Sequence, residues 1–375
     1  MRLLLTDDQV ELQRSMRKLF AKECPPSLVR ELQAADSPVR PRQLWAALAD
    51  AGVFALSFPE DVGGLGAELF DLGLVFQEAG RVLCPTIVYS TLAFGLAVNR
   101  LGSGGQRERW LKPLVAGQLR ASVALWNPSD ASDLRPRLKG KRDGNGWRLS
   151  GTVDFVPNAD VVDAVLVTAE IMSKGARRPL GLILTSEQAG CQFVRHRTFN
   201  RELQCQIVID GAHVTDSNCV IDVGPEADLR WVSNAAMALQ CMEMVGGAQA
   251  VLDHTVEYLK NREQFGRSLA SFQAVQQLVA DVRVAIEGAR LVAYQAVWRV
   301  GRGDLADREV AVAKFHCNEA YKLATLTAHQ LWGGMGYMRE TDLHLWSERA
   351  KAAELLGGAW DIQLGRLERA LELDG

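Results

Sequence analysis

Two short stretches of this 375-residue sequence combine residue types that bind anionic groups. Arg262 closes a predicted long helix beside the turn at Gly266, and an arginine fork offers paired donors to a phosphate. The Gly333-Gly334 pair would let backbone amides approach an anion closely. Together the two stretches favour a diphosphate site, although each alone is also consistent with a surface arginine and with a turn between helices.

A carboxylate within an apolar helical segment is the second feature that could do chemistry. Glu243 lies in "AMALQCMEMVGGAQAV", residues 236–251, where burial without a partner is costly. Such burial would raise its pKa toward the working value of a general base. The alternatives for Glu243 are a hydrogen bond in a core or an interface, and a solvated position.

Other chemistry finds no support in the sequence. The seven cysteines are scattered and never spaced as Cys-x-x-Cys, which is typical of a reduced, intracellular protein without a zinc site. The six histidines show no metal-ligand spacing either, so no metal is expected. A formal charge of −3 without a long like-charge run argues against nucleic acid or an anionic membrane as partner. The short N-terminal apolar run and the lack of a long apolar stretch predict a cytoplasmic protein.

The elements that must position these residues come in the order helices, strands, helices. We predict an α+β chain with an N-terminal helical domain at 1–118, a middle β domain at 119–225 and a C-terminal helical bundle at 226–375. Four long helices are expected in the bundle, at about 228–262, 272–301, 304–331 and 340–372. The middle strands have no helices between them, so an antiparallel barrel or sandwich is expected rather than a parallel dinucleotide-binding sheet.

That order and two long motifs resemble the acyl-CoA dehydrogenase family along nearly the whole chain. The stretch "YLKNREQFGRSLASFQAVQQLVADV", residues 258–282, looks like the family's Arg-x-x-Phe-Gly signature followed by Phe-Gln. The stretch "HQLWGGMGYMRETDLHLWSERAK", residues 329–351, looks like its Gln-x-x-Gly-Gly-x-Gly-Tyr signature. Residues 58–66 and 111–128 carry smaller similarities. The resemblance implies an N-terminal helical bundle, a middle antiparallel β domain and a C-terminal four-helix bundle.

The resemblance also implies a cofactor, a reaction and partners. In this family FAD lies at a subunit interface of a dimer of dimers, and a carboxylate removes the α proton of an acyl-CoA while a hydride leaves the β carbon for the flavin. An electron-transfer flavoprotein or similar acceptor would take the electrons. The residues implied to hold the ADP end of a flavin bound mainly by the neighbouring subunit are Arg262, Gln264, Phe265, Gln273, Gln330, Gly333 and Gly334.

The chain departs from the family pattern where the catalytic base is expected. Aligning "SERAK" with the family's Arg-Asp-Ala-Lys places the usual base on Gly357, within Leu356-Gly357-Gly358-Ala359. The base position that some members use on the earlier helix corresponds to Ala236. Neither residue accepts a proton. Glu243 lies two helical turns beyond Ala236, a displacement of roughly 10 Å, which makes it a weak candidate for a relocated base.

The middle domain departs as well. The family's Thr-Glu-Pro-x-x-Gly-Ser-Asp aligns with residues 126–133, which keep Pro128, Ser132 and Asp133 but lose the glutamate. The family's Trp-Ile-Thr, which covers the flavin ring, aligns with Phe155-Val156-Pro157. Because proline has no hydroxyl and no backbone N–H, this half of the flavin site is expected to be weakened.

The leading hypothesis is therefore a heteromeric enzyme. The residues that would contact a neighbour's flavin match the family pattern, whereas those that would carry out the chain's own chemistry do not. The same division is found in non-catalytic subunits of actinobacterial α2β2 acyl-CoA dehydrogenases that act on steroid side-chain thioesters. The partner would be a paralogous subunit. Two alternatives remain: a self-sufficient homotetramer with a relocated base such as Glu243, and a member of the fold that is a monooxygenase, an oxidase, a non-redox enzyme or a scaffold.

Overall fold

A computed structural model describes residues 4–34, 41–173, 175–215, 219–224 and 226–372 of the chain. Part of the N-terminal apolar run, residues 1–3, lies outside this description. The element order is six helices, eight strands and then a helical region, which confirms the predicted fold class. The helices are α1 (Asp7–Glu23), α2 (Pro26–Ala34), α3 (Arg42–Asp50), α4 (Leu69–Arg81), α5 (Thr86–Leu101), α6 (Gly104–Val115), α7 (Glu226–Asn261), α8 (Gln273–Gly301), α9 (Asp307–Trp332), α10 (Leu343–Leu355) and α11 (Trp360–Ala370).

The strands form one large sheet and one short hairpin. The strands are β1 (Ala121–Val123), β2 (Leu138–Asp143), β3 (Gly146–Pro157), β4 (Ala164–Ser173), β5 (Ala176–Thr185), β6 (Cys191–Arg195), β7 (Gln204–Thr215), β8 (Val220–Ile221), β9 (Glu263–Gln264) and β10 (Arg267–Ser268). The large sheet has the order β6-β7-β3-β2-β4-β5-β8, with β1 against β4. The prediction of a purely antiparallel domain is wrong in one respect, because β4 pairs in parallel with both β1 and β2.

The described residues group into two compact units. The first, purely helical except for the β9-β10 hairpin, contains the chain up to Arg30, Leu69–Cys84 and everything from Met237 onward. The second contains Glu31–Glu68 and Pro85–Ala236, and therefore the whole large sheet. Helix α7 begins in the second unit and continues into the first.

The core of the helical unit is built around a close crossing of α4 and α7. A β-carbon placed on Gly246 would lie 1.8 Å from the carbonyl oxygen of Gln77, and one on Gly80 would lie 1.9 Å from the carbonyl oxygen of Glu243. Backbone therefore packs directly on backbone, which only glycine permits. Helix α7 also contains an 18-residue window apolar enough to cross a membrane by composition, but 89% of that window is buried inside the structure, as in a core helix.

The helical pattern predicted at 340–372 is interrupted at Gly357-Gly358. The chain forms two helices, α10 and α11, separated by Leu356–Ala359. Gly357 and Gly358 have φ angles of 83° and 99°, outside the helical region, so the helix ends where the two glycines begin. The interruption therefore places a buried turn inside the helical unit.

Two glycine substitutions in this unit should have opposite effects on stability. Gly246→Ala should lower the free energy of unfolding by about 1–3 kcal/mol or more, because a methyl group would overlap the α4 backbone. Gly288→Ala on exposed α8 is the matched control: nothing lies within 4 Å of its β-carbon position, so it should raise stability by up to about 1 kcal/mol. Urea denaturation measures both. Equal effects would contradict the close crossing.

Candidate functional site

Arg262 lies at the base of an exposed hairpin that follows α7. Strands β9 and β10 pair antiparallel, and the residues between them, Phe265 and Gly266, have φ angles of 57° and 77°. Two successive positive φ angles are the mark of a type I′ turn, which glycine adopts freely and phenylalanine only with strain. The amide of Leu269 donates to the carbonyl oxygen of Arg262 at 2.9 Å and closes the loop. The hairpin is therefore a defined structure.

The predicted binding side chains on this hairpin point to solvent. Within the described residues the guanidinium of Arg262 has no hydrogen bond or ion pair. The side-chain amide of Gln264 donates only to the adjacent carbonyl oxygen of Glu263. Phe265 is 89% exposed. Arg267 differs, because its guanidinium lies 4.0 Å from the centre of the Phe272 ring. Arg262 is thus a cation of the hairpin that is available to an anion and is not stacked on an aromatic ring.

The N-terminus of α8 lies beside the hairpin. The rings of Phe265 and Phe272 meet edge to face at 6.2 Å, and Gln273 is the first residue of α8. Its side-chain amide is exposed and has no partner within the described part of the chain. The free amides of a helix N-terminus favour negative charge, so Gln273 and Arg262 present compatible donors.

Gly333 and Gly334 begin a short 3₁₀ helix, Gly333–Tyr337, directly after α9. Gly333 needs to be glycine, because its φ is 59° and its ψ is −138°, and its amide donates to the carbonyl oxygen of Gln330. Gly336 is packed closely, because a β-carbon there would lie 3.0 Å from the carbonyl oxygen of His329 and would force a shift of a few tenths of an ångström. Gly334 has neither constraint, since nothing lies within 4 Å of its β-carbon position. The chain leaves this backbone open to an external group.

An aromatic stack brings the two motifs to the same end of the helical unit. The rings of Tyr258 on α7 and Trp332 on α9 lie parallel, 4.3 Å apart and 9° from coplanar. The indole of Trp332 also donates to the hydroxyl of Thr255 at 3.2 Å. Arg262 follows Tyr258 by one helical turn, about 6 Å, and Gly333 follows Trp332 directly. An unpaired arginine and an open glycine backbone at one end of the unit fit the phosphates of a dinucleotide.

The position predicted for a catalytic base is closed and holds no carboxylate. A β-carbon on buried Gly357 would lie 3.2 Å from both Gln240 Oε1 and Met237 Cε, and 3.4 Å from Lys314 Cε. A β-carbon on Gly358 would lie 2.7 Å from Ile362. Both glycines also have positive φ, so any other residue is strained there. Leu356–Ala359 is thus a turn that requires its two glycines.

Polar side chains from α9 and α11 hold this turn by donating to backbone carbonyls. The amide of Gln363 donates to the carbonyl oxygens of Gly357 and Gly358 at 2.7 and 3.2 Å, and Asn318 donates to Gly358 at 3.3 Å. The ammonium of Lys314 donates to the carbonyl oxygen of Ala353 near the end of α10. In the described residues, the oxygens Gln240 Oε1, Asn318 Oδ1 and Gln363 Oε1 are buried without donors. The turn therefore sits in a polar, basic cluster.

Glu243, the candidate for a relocated base, is bound by Arg349. The two side chains, both largely buried, form an ion pair with 2.5 Å between Nη1 and Oε1. Arg349 also donates to the carbonyl oxygens of Leu83 and Cys84, just after α4. A substrate proton would have to compete with this guanidinium for the carboxylate. At the other predicted position, the carbonyl oxygen of buried Ala236 accepts from the hydroxyl of Tyr89 at 2.9 Å, and the methyl side chain offers no base.

In the sheet unit, Phe155 occupies a strained position at a bulge between Val153 and Val156. Its φ is 51°, rare for a bulky residue, and its half-exposed ring stacks on His196 at 4.7 Å. Asp154 accepts from His196 Nε2 at 2.5 Å and from the amide of Phe155. Burial opposes ionisation of Asp154, but these hydrogen bonds prevail and lower its pKa. Strain of this kind collects at functional sites.

Other residues predicted to lie near the flavin ring have their polar groups hydrogen-bonded within the second unit, which contains the large sheet. Pro157 has its carbonyl oxygen bonded by the hydroxyl of Ser122 at 2.5 Å. The indole of Trp126 donates to Ser233 at 2.7 Å. Asp133 accepts hydrogen bonds from Arg135, which lower the pKa of the Asp133 carboxyl to about 2. Asp133 is therefore ionised throughout the working range of an enzyme.

Sequence reasoning missed Lys314, Asn318, Gln363 and His196. Lys314 and Asn318 lie on the same face of α9, four residues apart, in a segment that otherwise alternates apolar and polar residues as an ordinary amphipathic helix does. A lysine at a core-facing position of that pattern is a readable signal. His196 stands in a loop whose sequence gives no indication of its stack on Phe155.

Lys314 should make stability depend on pH in an unusual direction. Burial lowers its pKa from 10.5 to about 8, so between these values the folded state has lost a proton that the unfolded state still holds. The charged Lys314 therefore lowers the free energy of unfolding most below about pH 8. This destabilisation decreases as the pH rises to 10.5. Relative to Lys314→Met, wild-type stability should gain about 3 kcal/mol over that interval.

Denaturant unfolding of both proteins at a series of pH values measures this difference. Lys322→Met on the same helix, which removes an exposed lysine, serves as the control and should follow wild type. Parallel curves for wild type and Lys314→Met would show that folding does not lower the pKa of Lys314.

The chain has relatives among characterised proteins. Two family models match it: "Acyl-CoA dehydrogenase, N-terminal domain" at residues 6–118 and "Acyl-CoA dehydrogenase, C-terminal domain" at residues 234–372. Acyl-CoA dehydrogenase FadE27 of Mycobacterium tuberculosis is 31% identical over 358 residues, which cover 93% of this chain and 92% of the relative.

Solved structures of similar chains extend the comparison. The ChsE4-ChsE5 complex from Mycobacterium tuberculosis contains a chain that is 28% identical, with a TM-score of 0.90 and full coverage of both chains. A variant of the steroid ACAD Tcur3481-Tcur3483 contains a chain that is 29% identical, with a TM-score of 0.88 and 98% coverage of both.

Proposed function

This chain belongs to the acyl-CoA dehydrogenase family, and from that premise we propose that it is the non-catalytic subunit of a heteromeric, FAD-dependent member. The family consists of flavoprotein oxidoreductases. One contrast carries the proposal. Within the described residues, the guanidinium of Arg262 is unpaired and nothing lies near the β-carbon position of Gly334, whereas the base position at Gly357 is closed by a turn without a carboxylate.

The open end fits the ADP half of FAD. Arg262 would pair with the diphosphate, and the backbone at Gly333 and Gly334 would approach it closely. Gln264, Phe265, Gln273 and Gln330 would complete this half, while a paralogous partner subunit holds most of the flavin. When bound, the flavin supplies a hydride acceptor for the β carbon of an acyl-CoA. An electron-transfer flavoprotein or similar acceptor then takes the electrons.

The closed base position explains why a partner is needed. Removal of the α proton needs a carboxylate that can reach the substrate, and the residue at each of the two family positions, Gly357 and Ala236, has no proton acceptor. We assign that step to the base of the partner subunit. A self-sufficient enzyme that uses Glu243 is less well supported, because Arg349 already binds that carboxylate. No observation favours a non-dehydrogenase role.

The relatives support the heteromer and a bulky substrate. Both solved structures named above are complexes of two differently named chains, and one is called a steroid ACAD. Exposed apolar residues on the long helices, such as Val284 on α8 and Leu326 on α9, suit burial against other subunits. We propose an acyl-CoA with a bulky or steroid-like acyl group as substrate. Higher kcat/KM for straight short chains than for sterol-like thioesters would contradict this.

The flavin content and native mass of the chain test the shared site. Purified alone, the chain should be poorly assembled or free of flavin. Co-expressed with a family member that retains Trp-x-Thr and a base, it should form a tetramer with about one flavin per two polypeptides. A yellow homotetramer with one flavin per polypeptide would refute the proposal.

Arg262→Gln should weaken FAD binding by the assembled complex roughly tenfold or more, because a charge-assisted contact with phosphate would be lost. The matched control is Arg267→Gln in the same hairpin, whose arginine packs on Phe272 and should matter little for FAD affinity. Flavin fluorescence during FAD titration of the apo complex measures both. Equal affinities for the two variants would exclude Arg262 from the site.

A further inference from the structure

The imidazole of His329 binds the backbone of the short helix Gly333–Tyr337, the glycine turn. His329 lies in the last turn of α9, and its Nδ1 is 2.8 Å from the carbonyl oxygen of buried Gly336. Because a carbonyl oxygen only accepts, Nδ1 must carry a proton. Nε2 lies 2.7 Å from the hydroxyl of Ser347 on α10, a group that can donate or accept. Both ring nitrogens therefore have hydrogen-bond partners, each outside α9.

Packing also holds His329 against the glycine turn. The ring of Tyr337 stacks on the imidazole, with 5.0 Å between the ring centres and 29° between the planes. A β-carbon on Gly336 would lie 3.0 Å from the carbonyl oxygen of His329 and 3.1 Å from its α-carbon, so the two backbones are in close contact. The imidazole is therefore fixed by two hydrogen bonds and an aromatic contact.

Two more carbonyl oxygens of this segment are bound by a side chain. The hydroxyl of Thr341 lies 2.9 Å from the carbonyl oxygen of Met338 and 3.1 Å from that of Met335. Peptide carbonyl oxygens carry partial negative charge, so they would repel a phosphate if they faced it. Here they face donors of the protein, while nothing lies within 4 Å of the β-carbon position of Gly334. The glycine turn therefore leaves its glycine backbone open and directs these carbonyl oxygens to side chains.

We infer that His329 is a positioning residue for the cofactor. By holding the carbonyl oxygen of Gly336, it keeps that oxygen from facing the diphosphate of FAD and fixes the backbone of the glycine turn in the form that binds it. His329 would act through the backbone of Gly336 and not by contact with the cofactor. The role depends on the hydrogen bond from Nδ1 rather than on the size of the ring. This inference rests on the proposed function in taking Gly333 and Gly334 to lie against FAD.

Three substitutions at position 329 separate the two hydrogen bonds of the ring. Asparagine places an amide N–H near the position of Nδ1, glutamine places one near that of Nε2, and leucine has neither. In the complex with the co-expressed partner, His329→Leu and His329→Gln should weaken FAD binding roughly tenfold, whereas His329→Asn should stay within about threefold of wild type. His316→Leu, at an exposed histidine of the same helix, is the matched control and should bind FAD as wild type does. Flavin fluorescence during FAD titration of the apo complex measures all four variants.

Hydrogen exchange gives a second measurement that needs no flavin. In the flavin-free complex, the amides of residues 336–338 should exchange faster in His329→Gln and His329→Leu than in wild type and His329→Asn, because the turn has lost its imidazole donor. If His329→Leu does not assemble, the comparison of His329→Asn with His329→Gln decides.

Equal FAD affinities for His329→Asn and His329→Gln would overturn the inference, because packing alone does not distinguish the two ring nitrogens. Wild-type affinity in His329→Leu would overturn it as well. A loss of affinity that follows the loss of stability against urea across all three variants would leave His329 a structural role only. If Arg262→Gln still weakens FAD binding in any of these cases, the proposed function stands. Unchanged FAD affinity in both Arg262→Gln and His329→Leu would count against the proposed function itself.

Discussion

The backbone-to-backbone crossing of α4 and α7 is the constraint on which the helical unit depends. Glycines at Gly80 and Gly246 let the two helices meet without side chains between them. That contact places Glu243 beside the end of α4, where Arg349 binds both the carboxylate and the carbonyl oxygens of Leu83 and Cys84, just after α4. A carboxylate that looks like a candidate base in the sequence is therefore part of the joint between three helices.

The two ends of the α7 segment in the helical unit differ in whether the polar groups around them are hydrogen-bonded. At its C-terminal end, the stack of Tyr258 on Trp332 brings donors together and leaves them unpaired. Nearer its start, Gln240 and Met237 lie against Gly357. Side-chain donors there bind backbone carbonyl oxygens. One end leaves donor groups exposed, and the other is filled by the protein's own side chains. This division is the physical basis for assigning cofactor contact and the lack of a base to the same chain.

Much of the fold could be read from the sequence, because helical periodicity and turn residues are local signals. The order of elements and the ends of α7, α8 and α9 followed from them. The turn at Gly266 after the helix that Arg262 closes was also read from the sequence, whereas the β9-β10 hairpin and the positive φ of Gly333 were not. The helical pattern at 340–372 did not give the geometry of its interruption, because the turn at Gly357 and Gly358 is held by tertiary hydrogen bonds. The ion pair of Glu243 joins residues 106 positions apart, and no local pattern reports such a pair.

The turn at Gly357 and Gly358 also bears on the history of the chain. Glutamate at position 357 would have to adopt a φ near 83° and would enter a space filled by Gln240, Met237 and Lys314. Its carboxylate would meet a buried ammonium and become a partner of that charge instead of a proton acceptor. A longer side chain at position 357 therefore needs a change of backbone angle and a shift of the surrounding side chains. In evolutionary terms, the two glycines are constrained by the backbone angles of this turn, whatever reaction the chain takes part in.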